Sequence, residues 1–123
     1  MTLETRTLGR TGLQVTQLGY GALEVRGVSS EDPRARMPSE EHAKNILNAV
    51  LDSGINFIDT AWCYGRSEEM IGKFISHRRS EYTLAAKSGH GNCSSTKYGS
   101  YTRKDILDCI EESLRNLKTD YVD

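Results

Sequence analysis

No apolar run in the sequence approaches the roughly 20 residues of a membrane-spanning helix. The amino terminus, MTLETRTLGR, also lacks the apolar centre of a signal peptide. A cytoplasmic location is therefore expected, with no membrane partner. Charge of one sign is missing as well. The 16 basic and 17 acidic side chains nearly cancel, which offers no attraction to phosphate backbones, so no nucleic-acid partner is expected. Cysteines are few. Cys63, Cys93 and Cys109 form an odd set without CxxC spacing, which argues against a disulfide framework and against a zinc site; reduced thiols and no metal are the expectation. There is neither a GxGxxG fingerprint nor a Walker motif.

What is present is a pattern of short apolar runs separated by helical periodicity. Ile55 to Asp59 leaves a turn at Gly54, and YTLAAK, Tyr82 to Lys87, is a second run of the same kind. Between them Met70, Ile71, Phe74 and Ile75 recur at helical spacing. Ser67 is read as the N-cap, and Glu68 and Glu69 suit the positive end of the helix dipole. The order is strand, helix, strand. In a parallel unit both strands end on one face, so Asp59 and Lys87 are expected side by side there, with Tyr64 on the loop between them.

Three polar groups converging on one rim can protonate a carbonyl. A free tyrosine has a pKa of about 10 and is a poor acid near neutrality unless a cation stabilises the phenolate. Lys87 can be that cation, with Asp59 holding the ammonium in place and Tyr64 acting as general acid. Taken singly, each residue has a plainer reading: a strand-end Asp as turn former, a Tyr as packing, a Lys as solvated surface. Their combined placement on consecutive strand ends favours the catalytic one.

The segments LGRTGLQVTQLGYGALEVRG, FIDTAWCYG with the following SEEMIGKFI, AAKSG and SLRNLKTDYVD resemble the aldo-keto reductases. The resemblance runs from about Leu8 to the last residue. It implies an α/β fold, a (β/α)8 TIM barrel, that uses NADPH or NADH and has a catalytic Asp, Tyr, Lys and His. Asp59, Tyr64 and Lys87 match the first three. It also places the nicotinamide near Gly21 and Ala22, with Asp59 adjoining, and makes a small carbonyl compound the substrate. The family's histidine falls a few residues after DYVD, beyond Asp123.

A β/α barrel takes about 250 residues, so 123 are read as its N-terminal half, a single incomplete domain. It is expected to contain a hairpin, three β/α units and the start of a fourth strand. The hairpin is placed at Arg6 to Leu8 and Gln14 to Thr16, and the first barrel strand at Leu18 to Ala22, where Gly19 and Gly21 allow close approach of a neighbour or ligand. A helix is expected from Ser39 to about Asp52, burying Ala43, Ile46, Leu47 and Val50. Another is expected over Arg103 to Lys118, capped by Thr102, with Ile106, Leu107, Ile110, Leu114 and Leu117 on one face. Tyr121 to Asp123 would begin a strand.

Two long loops belong to the rim. RGVSSEDPRARMP, Arg26 to Pro38, carries both prolines and reads equally as a pocket wall or a surface insertion; Ser88 to Tyr101 contains His90 and Tyr98. His90 is set aside as a substitute for the family's histidine, because a Gly-flanked loop does not hold a catalytic group rigidly. Trp62 and Tyr98 are read as pocket lining or as packing, with both open. Such a half chain is expected to be inactive alone, with two exposed sheet edges. The alternative reading is a non-catalytic barrel fragment or interaction module, because the family's relatives include potassium channel β subunits.

Overall fold

The computed structural model describes residues 3–27, 39–88 and 101–123. A hairpin opens it: β1 (Thr5–Thr7) pairs antiparallel with β2 (Gln14–Thr16), with Arg6 opposite Val15. The main sheet is parallel, in the order β3 (Tyr20–Gly21), β4 (Phe57–Asp59), β5 (Thr83–Ala85). Helices α1 (Glu40–Asp52), α2 (Ser67–Phe74) and α3 (Arg103–Leu117) follow the three strands in turn. Two 3-10 segments, Ala22–Val25 and Ser76–Glu81, complete the order; neither follows from apolar periodicity.

Helix α1 starts where its cap chemistry dictates, with the Ser39 hydroxyl accepting from the His42 N–H at 3.2 Å and Glu40 and Glu41 in the first turn. It buries Ala43, Leu47, Val50 and Leu51; Ile46, expected inside, is only half-buried. Thr102 caps α3 as expected, accepting from the Asp105 N–H at 3.2 Å. At the centre of the core Ile58 and Leu84 sit opposite each other across β4 and β5, both fully buried. Truncating either to Ala costs roughly 2–5 kcal/mol.

Two expectations about helices are corrected. The N-cap of α2 is Arg66, not Ser67, and the Ser67 hydroxyl is spent elsewhere, donating to the Ala22 carbonyl at 2.7 Å and meeting Thr60 Oγ1 at 2.9 Å. The buried positions of α3 are Cys109, Ser113 and Leu117, while Leu107 is exposed. The reason is how closely α3 lies on α2. A Cβ on Gly72 would fall 2.0 Å from the Asn116 carbonyl oxygen, so the two backbones nearly touch and small side chains fill the seam.

Tyr121 to Asp123 forms no assigned strand, yet the Asp123 N–H donates to the Leu84 carbonyl at 3.1 Å, on the side of β5 away from β4. Most of the two expected rim loops lies outside the described residues, including His90, Cys93 and Tyr98. Reduced thiols hold for Cys109, which is buried and outside any disulfide, but not for Cys63, which is disulfide-bonded. Sequence spacing does not reveal which sulfurs the fold brings together. Among the described residues no helix is long and apolar enough to cross a membrane.

Candidate active site

Strands β4 and β5 run parallel in register, with Asp59 opposite Ala85, so both chains leave the sheet at the same end. Two backbone bonds extend the pairing past the last ladder residues: Thr60 N–H to the Ala85 carbonyl at 2.8 Å and Trp62 N–H to the Lys87 carbonyl at 3.3 Å. These bonds carry Lys87 alongside the loop that bears Tyr64. The Lys87 ammonium donates to Asp59 Oδ1 at 2.5 Å and to the Thr60 carbonyl at 3.1 Å, and it lies 5.2 Å from the centre of the Tyr64 ring. The Tyr64 phenol adds a smaller favourable interaction with the ammonium charge.

The electrostatics follow from this geometry. Partial burial works against the Lys87 charge, but the hydrogen bond and charge of Asp59, helped by Tyr64, outweigh it and hold the lysine above its ordinary pKa. Lys87 therefore stays cationic across neutral pH. Both members of the pair are 40% exposed, which leaves room for a substrate at the rim.

Of the residues expected near a nicotinamide, Gly21 and Asp59 border one open cleft that also includes Tyr20 and Phe57. A Cβ added at Gly21 meets nothing within 4 Å, whereas one at Gly19 would fall 2.8 Å from Phe57 Cδ1. The approach at Gly19 is thus packing, and the space at Gly21 is open. Ala22 is fully buried, and its carbonyl accepts from the Ser67 hydroxyl. Lys87 borders a separate, more enclosed cavity of about 120 Å³ with Ala86, Ile110 and Val122.

Trp62 is half-buried beside the site. His42 and His77 are exposed on or beside helices, as expected. Tyr20, at the lip of the cleft, was not singled out by its sequence; only its place before Gly21 marked it.

The family model for the aldo/keto reductase family matches residues 17–123. The chain belongs to that family. Among curated relatives, the uncharacterized oxidoreductase YqkF of Bacillus subtilis is 31% identical, matching 98% of this chain and 37% of its own length. A probable voltage-gated potassium channel subunit beta of Oryza sativa is 35% identical, over 98% of this chain and 36% of its own. The solved structure of a putative aldo-keto reductase from Pseudomonas aeruginosa superposes with a TM-score of 0.82 at 32% identity, covering 97% of this chain and 45% of that one. The chain thus spans a little over a third of the length of these curated relatives, and the α/β fold is that of part of a TIM barrel.

Proposed function

We propose that the full-length protein reduces an aldehyde or ketone to an alcohol, using NADPH or NADH, with Tyr64 as the general acid. The observation that carries this reading is the ammonium of Lys87 held between the Asp59 carboxylate and Tyr64 at the open end of the sheet. A planar ring suits the open space over Gly21, where a side chain would meet no neighbour. The chemistry a bound nicotinamide supplies is a hydride for the carbonyl carbon. This chain's own residues handle the proton. Tyr64 donates it to the carbonyl oxygen, Lys87 stabilises the negative charge left on the phenol oxygen, and Asp59 holds Lys87 in position. The sum of hydride and proton converts the carbonyl to an alcohol and leaves the nicotinamide oxidised.

We assign residues 1–123 to a single incomplete barrel domain. In the family the orienting histidine follows DYVD, so the 123-residue chain by itself is expected to turn over little or nothing. The test is Tyr64→Phe in the full-length protein. Turnover should fall by about 10²–10⁴-fold, the usual worth of a positioned acid, while cofactor binding is spared. Near-normal turnover in the variant would overturn the role of Tyr64. The rice relative favours a second reading, an interaction module. Full-length protein that leaves NADPH unoxidised with a reactive aldehyde would support it.

A further inference from the structure

We propose that Arg66 is the positioning residue of this rim, clamping the loop that presents Tyr64 to Lys87; the proposal rests on the role of Tyr64 given above. Tyr64 belongs to no helix or strand, so its phenol is only as well placed as its backbone. Local bonds close the turn: Tyr64 N–H to the Ala61 carbonyl at 3.0 Å and Ser67 N–H to the Tyr64 carbonyl at 2.9 Å. They shape the loop, while Trp62 N–H to the Lys87 carbonyl and the disulfide at Cys63 hold the side before Tyr64. Arg66 holds the side after it through its main chain, its stem and its guanidinium.

Its N–H donates to the Arg26 carbonyl at 2.6 Å, on the segment that follows β3. Gly65 makes this approach possible. It has φ +51°, and a Cβ there would fall 2.7 Å from the same Arg26 oxygen. The aliphatic stem of Arg66 lies over Gly27, its Cδ 3.2 Å from where a Cβ would be. The guanidinium then forks onto Glu69 in the first turn of α2, Nε to Oε2 at 2.9 Å and Nη2 to Oε1 at 2.6 Å. Nη2 also reaches Glu40 Oε1 at 2.7 Å, in the first turn of α1. Lys73 takes the other oxygen of Glu40.

One residue, two positions from Tyr64, thus joins the exit of β3, the start of α1 and the start of α2. An isolated exposed ion pair contributes little, but a bidentate fork shared between two carboxylates fixes geometry as well as charge. Lysine lacks the fork and cannot replace it fully. Two carboxylates already neutralise the guanidinium, which makes it a poor anion site and leaves the clamp as its role.

The test uses Arg66→Gln in the full-length protein. Expected are a fall in kcat of about tenfold to a hundredfold, the scale of a misplaced catalytic group, an unchanged cofactor affinity and an unchanged unfolding midpoint. Arg66→Lys should recover part of the loss. In a Tyr64→Phe background Arg66→Gln should change the residual turnover no further. Turnover within about twofold of the native enzyme, or an equal loss in the Tyr64→Phe background, overturns the clamp. Tyr64→Phe alone retaining turnover overturns the reading beneath it instead. Hydrogen exchange on the full-length protein then decides independently. With the clamp broken, the amides of Tyr64, residue 66 and Ser67 should exchange at least about tenfold faster while those of Ile58 and Leu84 hold, and unchanged exchange overturns the proposal.

Discussion

At the carboxyl end of the parallel sheet Lys87 and Asp59 form an ion pair with both side chains 40% exposed, whereas at the amino end Arg79 and Asp123 form one at 11% and 16%. Chemically the two pairs are alike. Arg79 is held inside the structure by its terminal nitrogens: it donates to the Tyr82 carbonyl at 2.7 Å and to Asp123 Oδ2 at 2.6 Å, and it stacks 3.9 Å from the centre of the Tyr121 ring, while its Nε is buried without a partner. The same Asp123 oxygen accepts from the Leu84 N–H at 2.8 Å, so this pair ties the last residues to β5. The tyrosines differ in the same way. Burial pushes the Tyr82 phenol up to about 12, and its hydroxyl finds no partner, so it is inert as an acid; Tyr64 stands half-exposed against a cation. What separates a site from a staple here is exposure: the groups at the carboxyl end can be reached by a substrate and those at the amino end cannot.

That contrast predicts two substitutions with opposite signatures. Lys87→Met in the full-length protein should cost about 10²–10⁴-fold in turnover and little stability, because an exposed pair contributes at most about 1 kcal/mol to folding. Arg79→Met should do the reverse. It strands the Asp123 carboxylate at a mostly buried position, a loss of about 3–5 kcal/mol in urea unfolding, with turnover per folded molecule preserved. If Lys87→Met unfolded the protein, or Arg79→Met abolished turnover without lowering stability, the division between the two ends would fail.

A smaller effect sharpens the same comparison at the amino end. Asn56, just before β4, pins the hairpin to the sheet: its Oδ1 accepts from the Thr16 N–H at 2.7 Å, its Nδ2 donates to the Gln14 carbonyl at 2.9 Å, and its N–H donates to Thr16 Oγ1 at 3.2 Å. Asn56→Ala leaves two backbone groups of β2 without these partners, at about 1–3 kcal/mol for a buried one. The loss should appear as faster hydrogen exchange at Thr16 than at Leu84. Equal exchange at both would mean that the hairpin does not depend on the pin.

The sequence showed much of the carboxyl end and little of the amino end. Asp59, Tyr64 and Lys87 were legible because strand ends in a parallel unit share a face, a rule that needs only element order. Thr102 was legible because a cap bonds within three residues of itself. Arg79, Asn56 and Arg66 were not, since their partners lie 44, 40 and 26 residues away and no local pattern marks them. The same distance hid the burial of Ala22 under Ser67, 45 residues on. Periodicity misjudged α3 for a different reason. It counts apolar residues, while the approach of α2 and α3 at Gly72 selects small ones.

The smallest expected effect lies in that seam. Glu68 is 2% exposed between α2 and α3. Its Oε2 meets Asn116 Nδ2 at 3.4 Å, a long contact, and its Oε1 has no partner. Burial, reinforced by the charge of Glu112 and only partly offset by the nearby Ser113 hydroxyl and Asn116 amide, raises its pKa above the ordinary carboxylate value of 4.5. A carboxyl whose pKa is higher folded than unfolded favours the fold when protonated. Its contribution is full below the unfolded value and is lost as pH rises through the folded one. Glu40, Glu69 and Glu81, whose carboxyls are held low by basic partners, act in the opposite direction. The difference between variant and native chain isolates Glu68 from them. Glu68→Gln should therefore gain in urea midpoint over the native chain as pH rises from about 4 to 8, because the amide has no charge to bury. A difference that stays flat across that range would mean that Glu68 meets solvent or a cation in solution, and that the seam is looser than its backbone contact at Gly72 implies.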